Sequence, residues 1–158
     1  MTGVTVGLDQ LSKAAARSCL EPGPPVSLLG GLVRLAHSEN VGAFMGLGAS
    51  LPPASRTLIF GVFAAVFLIS VTAYAFTAPN MRRLGVVATS LLVAGGLGNL
   101  VDRITRQGAV TDFLNIGVGQ VRTGVFNVAD LAIVLGVALL ILSSRLGEQR
   151  LETSPGAG

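Results

Sequence analysis

Residues 57–81 read TLIFGVFAAVFLISVTAYAFTAPNM and residues 84–101 read LGVVATSLLVAGGLGNLV, and neither run contains a charged side chain or a histidine. A helix needs roughly 20 mostly apolar residues to cross a bilayer core about 30 Å thick. The two runs are close to that length or longer, and only Arg82 and Arg83 separate them. The sequence therefore predicts two antiparallel transmembrane helices, over about 57–78 and 84–102, joined by a short basic turn.

The composition of the whole chain agrees with a membrane protein. Of 158 residues, 51% are hydrophobic and only 12% are charged, whereas a soluble domain has about 25% charged residues. Disorder is excluded because it requires low hydrophobicity and high net charge. One cysteine also excludes a scaffold of intrachain disulfides. The length predicts a single domain.

Two further helices are predicted on either side of the central pair. Residues 126–145 become long enough to cross a membrane once Asp130 is included near one end, and residues 4–20 carry Asp9, Lys13 and Arg17. Only eight residues precede Asp9, so this first helix is expected to be truncated. The charges also interrupt the apolar stretch that a secretory signal requires. The predicted fold is an all-α polytopic membrane protein with four transmembrane helices, comprising a domain over 1–147 and a disordered cytoplasmic tail over 148–158.

The two long connections, 21–56 and 103–125, are separated by two membrane crossings and therefore share one side of the membrane. The Arg82-Arg83 turn lies on the other side, and the positive-inside rule favours a cytoplasmic location for it. The ten arginines and one lysine give a net charge of +3 but are scattered along the chain. Nucleic-acid binding is not predicted, because it requires clustered basic residues with interleaved aromatics.

Ionisable groups in or beside membrane helices are costly and mark candidate functional sites. Asp102 ends one span, Asp130 begins another, and Asp112 lies in the connection between them. Asn99 and Asp102 share one helix face, and Asn127 and Asp130 share another. Hydrogen bonding between helices is the simpler interpretation of Asn99 and Asp102, with Arg103 as an ionic partner of the pair.

Asp112 and Asp130 have no basic neighbour in sequence. If the two carboxyl groups approach each other, repulsion raises one pKa and the pair shares a proton, as in an aspartic peptidase. Proton-coupled transport by the same acids remains an alternative interpretation of these residues. A metal site is not predicted, because the single His37 has no second histidine or cysteine at ligand spacing.

Four blocks of this sequence resemble those of the lipoprotein signal peptidases, also called signal peptidase II, and they occur in the same order along the chain. The resemblance extends from Asp9 to about Leu146. The blocks are Asp9-Gln10-Leu11-Ser12-Lys13, Asn40-Val41-Gly42-Ala43-Phe44, Gly98-Asn99-Leu100-Val101-Asp102-Arg103 continuing to Val110-Thr111-Asp112-Phe113, and Phe126-Asn127-Val128-Ala129-Asp130.

The resemblance implies an aspartic endopeptidase of the bacterial plasma membrane that acts near its extracytoplasmic surface. Such an enzyme removes the signal peptide from a prolipoprotein just before a diacylglyceryl-modified cysteine. The expected partners are these substrates and membrane lipids, the protein is expected to be a monomer, and no metal or cofactor is implied. The connection over 21–56 would form a small β-rich platform outside the membrane.

The resemblance also assigns roles to individual residues. Asp112 and Asp130 correspond to the catalytic pair. The remaining site residues would bind substrate or support the pair: Asn40, Gly42, Asn99, Asp102, Arg103, Asn127, Asp9 and Lys13. Asp9 and Lys13 would form an i,i+4 ion pair on the first helix. The chain departs from the family pattern in its short N-terminal helix, which leaves an inactive family member as an alternative, and in one-residue shifts around Asn40 and between Asp102 and Asp112.

Overall fold

The computed structural model describes residues 1–20, 23–42, 50–78 and 81–152, with side chains as far as residue 146. Four long helices and one small sheet make up this part of the chain. In chain order the elements are α1 (Thr2–Leu20), β1 (Val26–Leu28), a 3-10 turn (Leu29–Gly31), β2 (Val33–Asn40), α2 (Pro53–Thr77), α3 (Arg83–Thr105), β3 (Val110–Val118), β4 (Val121–Arg122) and α4 (Val128–Glu152).

Three of these helices, α2, α3 and α4, are long and apolar enough to cross a membrane. Large apolar side chains on these helices are exposed, which would be unfavourable in water: Phe63 is 73% exposed and Phe76 is 87% exposed. The helix α1 contains Asp9, Lys13 and Arg17 and is not among the three. The prediction of four membrane crossings is therefore supported for three helices, and the crossing by α1 stays a prediction.

Proline and small residues determine where the helices begin and how closely they pack. Pro53 is the first residue of α2, where its missing N–H costs no helical hydrogen bond. A methyl group at Gly95 of α3 would overlap the carbonyl oxygen of Ala129 at the start of α4. A Cβ at Gly136 of α4 would lie 2.9 Å from the carbonyl oxygen of Ala88 in α3. These glycines let the two helices pack backbone to backbone, as small residues do between membrane helices.

The sheet is antiparallel, and its strands follow the order β1-β2-β3-β4. The expected β-rich platform is present, but residues 21–56 supply only half of it. Strands β3 and β4 come from the second connection, where no strand had been predicted. Pairing of β2 with β3 aligns Ser38 with Asp112 and Asn40 with Val110, so it brings the end of β2 to the acid in the second connection.

The C-terminal helix is longer than the sequence suggested. It was expected to end near residue 145 and to be followed by a disordered tail over 148–158, but α4 continues to Glu152. Residues 149–152 are Gln-Arg-Leu-Glu, all good helix formers, and the first proline after them is Pro155. Residues 153–158 lie outside the described part of the chain.

Candidate active site

The N-terminus of α4 is closed by a reciprocal pair of hydrogen bonds between Asn127 and Asp130. The Asp130 backbone N–H donates to Asn127 Oδ1 at 2.9 Å, and the Asn127 backbone N–H donates to Asp130 Oδ2 at 3.2 Å. This is the geometry of a capping box, with a residue three positions into the helix binding back to the cap. The local sequence Asn127-Val128-Ala129-Asp130 thus fixes the carboxylate of Asp130 at the helix end.

Two asparagine side chains connect Asp130 with Asp112. Asn127 Nδ2 donates to Asp112 Oδ1 at 2.6 Å and to Asn99 Oδ1 at 3.1 Å. Asn99 Nδ2 donates to Asp130 Oδ1 at 2.8 Å. The acids predicted from the sequence therefore do converge, although they come from β3 and α4, and the asparagines on α3 and before α4 hold them in one hydrogen-bonded group.

Asp112 lies on β3, outside the membrane-spanning helices, and only 3% of it is exposed. Burial, and next the negative charge of Asp130, raise the pKa of Asp112 to about 6. Hydrogen bonds from Asn127 and Asn40 and the positive charge of Lys13 oppose this rise. A carboxyl group with such a pKa can hold a proton close to neutral pH, which an ordinary aspartate cannot.

Asn40 and Arg103 complete the surroundings of the two acids. Asn40 ends β2 and hydrogen-bonds Asp112, and its Oδ1 accepts the Gly42 backbone N–H at 3.2 Å. Arg103 is within electrostatic reach of Asp130, Asp112 and Asp102, and its Nη1 donates to the Asn99 carbonyl at 3.4 Å. Two residues of this predicted block, Ala43 and Phe44, belong to residues 43–49, which lie outside the described part of the chain.

Behind the two acids lies a buried ionic cluster, which we define as Asp9, Lys13 and Asp102. The expected i,i+4 pair is formed, with Lys13 Nζ 2.8 Å from Asp9 Oδ2. Lys13 Nζ also lies 3.3 Å from Asp102 Oδ2. The sequence had suggested Arg103 as the partner of Asp102. In the structure the ion pair of Asp102 is with Lys13, because α1 packs its charged face against α3.

Sequence reasoning did not assign a role to Gln10 and Thr111. Gln10 Nε2 donates to Asp9 Oδ2 at 3.1 Å, to the Gly98 carbonyl at 3.0 Å and to Asp102 Oδ1 at 3.2 Å. Thr111 is fully buried, and its Oγ1 accepts a hydrogen bond from Arg17 Nη1 at 3.0 Å. The available sequence signal for Thr111 is strand alternation. Successive side chains on a strand point to opposite faces, so Thr111 is expected on the face opposite to that of Asp112.

Taken together, the fold and the site define a class: a multi-pass membrane protein with a pair of hydrogen-bonded carboxyl groups where its helices meet a small sheet. A sequence model of the family described as Signal peptidase (SPase) II matches residues 1–146. The chain belongs to this family, and the resemblance drawn from its four sequence blocks is confirmed. It is accordingly a peptidase of the lipoprotein signal peptidase family.

Individual relatives and solved structures agree with this assignment. The lipoprotein signal peptidase of Moorella thermoacetica is 37% identical over 138 residues, which cover 87% of this chain and 85% of the relative. That of Treponema pallidum is 32% identical over 158 residues, covering 97% and 85%. A solved structure described as a bacterial membrane enzyme is similar with a TM-score of 0.82 at 25% identity, covering 99% of this chain and 91% of the other.

Proposed function

We propose that the protein is an aspartic endopeptidase that cleaves diacylglyceryl-modified prolipoproteins immediately before the lipid-modified cysteine. The observation that carries the proposal is the hydrogen-bonded group of Asp112, Asn127, Asn99 and Asp130. The carboxyl groups of Asp112 and Asp130 belong to one hydrogen-bonded network, and the pKa of Asp112 is raised to about 6. These properties suit a pair of acids that shares a single proton. Such a pair can supply an acid and a base in the same step.

The reaction needs only water and this pair. The ionised carboxylate removes a proton from water as the water oxygen attacks the scissile carbonyl carbon, and the protonated carboxyl group gives its proton to the carbonyl oxygen. The resulting tetrahedral diol collapses when the carbon–nitrogen bond breaks. The proton taken from water then passes to the departing amine, one diol proton returns to the other carboxylate, and the pair is again singly protonated.

The neighbouring residues have supporting roles in this scheme. Asn99 and Asn127 orient the two carboxyl groups, and Asn40 hydrogen-bonds Asp112 from the sheet. Arg103 provides positive charge beside the acids, which would stabilise negative charge that develops on the substrate carbonyl. Gly42 donates its backbone N–H to Asn40 and so belongs to the same group.

The proposed location is the extracytoplasmic end of the helices in the bacterial plasma membrane, with the protein acting as a monomer. Asp130 lies near the end of its span and Asp112 lies on the sheet, which suits a substrate whose lipid-modified cysteine lies at the membrane surface. The position also counts against the proton-transport alternative, which favours acids near the middle of the membrane.

The test is cleavage of a diacylglyceryl-modified prolipoprotein by the detergent-solubilised protein. Asp112→Asn and Asp130→Asn should each abolish cleavage. Glu39→Gln is the matched control, because it makes the same carboxyl-to-amide change in a solvent-exposed pair with Arg106, and it should remain active. The same prolipoprotein without the diacylglyceryl group should be a poor substrate. Retained cleavage in either aspartate variant would rule out the two-aspartate mechanism.

A further inference from the structure

The ionic cluster Asp9, Lys13 and Asp102 is buried to an unusual degree. Asp9 and Lys13 have no exposed surface and Asp102 is 1% exposed. Lys13 Nζ contacts three oxygen atoms: Asp9 Oδ2 at 2.8 Å, Asn99 Oδ1 at 3.0 Å and Asp102 Oδ2 at 3.3 Å. An ammonium group has three N–H donors, so every one is in use. Hydrophobic residues often stabilise a fold as well as a buried ion pair does, and a purely structural role therefore leaves the cluster poorly explained.

Each carboxylate of the cluster holds the residue that directly precedes one of the two candidate catalytic aspartates. Asp9 Oδ1 accepts the backbone N–H of Ala129 at 2.8 Å, and the next residue is Asp130. Asp102 Oδ2 accepts the backbone N–H of Thr111 at 2.9 Å, and the next residue is Asp112. Lys13 connects these two carboxylates, so a continuous set of polar contacts runs from the backbone of Ala129, next to Asp130, to the backbone of Thr111, next to Asp112.

Lys13 also decides which way the amide of Asn99 faces. Because an ammonium group only donates hydrogen bonds, Asn99 must present its Oδ1 to Lys13. Its Nδ2 is then directed to Asp130 Oδ1, at 2.8 Å. Asn127 Nδ2 meets the same Asn99 Oδ1 at 3.1 Å, which is again a donor meeting an acceptor. With the amide reversed, Asn99 would present an oxygen to the Asp130 carboxylate and repel it.

We propose that the buried cluster Asp9, Lys13 and Asp102 is a positioning device that fixes the two candidate catalytic aspartates relative to each other. Asp9 holds the start of α4, Asp102 holds β3, and Lys13 joins them and orients Asn99. The inference rests on the proposed peptidase function and adds a specific role for α1 in it. The cluster does not touch the reacting atoms and acts through Asn99, Ala129 and Thr111.

A matched pair of variants separates the effect of the hydrogen bond that Lys13 donates to Asn99 from the effect of its positive charge. Lys13→Gln and Lys13→Met both remove the positive charge, but only glutamine retains an N–H that can meet Asn99 Oδ1. A displacement of about 1 Å can cost an enzyme about 100-fold in rate. We expect kcat to fall about 100-fold in Lys13→Met and about 10-fold or less in Lys13→Gln, with KM nearly unchanged in both. Equal kcat in the two folded variants would overturn the role assigned to Asn99 orientation.

Two further variants separate positioning from folding. The double variant Lys13→Met with Asp9→Asn removes one charge of each sign, so it leaves the net charge of the cluster unchanged and gives a second route if Lys13→Met alone does not fold. It should be folded and should still lose kcat. Leu68→Ala, which shortens a buried side chain of α2 beside Gly96, is a destabilised control in a helix that contributes no residue to the cluster, and it should retain the kcat of the parent. A double variant with full kcat would contradict the proposal.

Amide hydrogen exchange tests the device without relying on cleavage. In the full chain in detergent, Asp9→Ala should speed exchange at the Ala129 amide and Asp102→Ala should speed exchange at Thr111, each at least 10-fold above the parent. Lys13→Met should affect both sites, whereas Leu68→Ala should affect neither selectively. Unchanged exchange would overturn the positioning role even if the peptidase assay succeeds. If the parent protein cleaves no prolipoprotein, the proposed function fails while these exchange rates still report on the device.

Discussion

Asn127 donates a 2.6 Å hydrogen bond to Asp112 while its backbone N–H and its Oδ1 both bind Asp130. One residue thus joins the helix cap of α4 to the acid on β3. The interaction makes the position of each carboxyl group depend on the other, since displacement of the cap would move the donor away from Asp112. Several measurable properties should depend on this relationship.

Replacing Asn127 with alanine should reduce catalysis and raise the pKa of Asp112. The variant loses the side-chain donor to Asp112 and the cap of α4, and loss of a preorganised donor typically costs 100- to 1,000-fold in kcat. Because the hydrogen bond from Asn127 lowers the pKa of Asp112, residual activity should persist to higher pH than in the parent. The measurement is kcat/KM against pH for both proteins, and an unshifted profile with normal kcat would count against this role.

The pH dependence of the parent enzyme should contain a step near pH 6. Asp112 holds its proton below this pH because burial and the charge of Asp130 raise its pKa, and the proposed mechanism requires one protonated carboxyl group. Cleavage should therefore decline as the pH rises through about 6. In Asp130→Asn the pKa of Asp112 should fall, since the charge of Asp130 is removed, but it should stay above 3.8 because burial is the larger cause. Infrared titration of the carboxyl band measures this in the inactive variant.

Stability should respond to the same group in a definite direction. A carboxyl pKa that is higher in the folded than in the unfolded state contributes stability below the unfolded pKa, here 3.8, and loses it as the pH rises through about 6. Asp112→Asn has no charge to bury, so its Tm relative to the parent should be higher at pH 8 than at pH 4. Gly61→Ala in α2, which changes no titratable group and adds a Cβ with nothing within 4 Å, should give the same difference at both values. A Tm difference for Asp112→Asn that does not change with pH would contradict the raised pKa of Asp112 in the folded protein.

Gly98→Ala should disrupt the ionic cluster through steric overlap alone. A Cβ at this position would lie 2.5 Å from Asp9 Oδ2 and 3.2 Å from the Ala129 side chain. Such overpacking typically costs about 1–3 kcal/mol, and the displacement of Asp9 should also reduce kcat. Gly61→Ala in α2 is the control, since nothing lies within 4 Å of its added Cβ. Thermal unfolding and cleavage rates check both variants, and a Gly98→Ala protein as stable and active as Gly61→Ala would show that the contact is tolerated.

The sequence by itself determined the features that depend on neighbouring residues. Apolar runs of sufficient length predicted α2 and α3, because a membrane helix satisfies its own backbone hydrogen bonds and needs only apolar side chains around it. A shorter apolar run predicted α4 once Asp130 was included near its end. The spacing of Asn127 and Asp130 predicted a shared face, and that of Asp9 and Lys13 predicted an ion pair. The same local signals misplaced the end of α4, which continues past Gly147 through residues 148–152, all of them good helix formers.

Only the tertiary structure decided which distant groups meet. Lys13 binds Asn99 across 86 positions of sequence, and Asp9 binds the Ala129 amide across 120. The pairing of β2 with β3 brings Asn40 to Asp112, although α2 and α3 separate the two strands in sequence. These contacts depend on how closely α1, α3 and α4 pack at Gly95 and Gly98 and on where each buried donor finds an acceptor. The sequence pattern provides the polar groups, but their partners are set by the requirement that every buried charge be compensated in three dimensions.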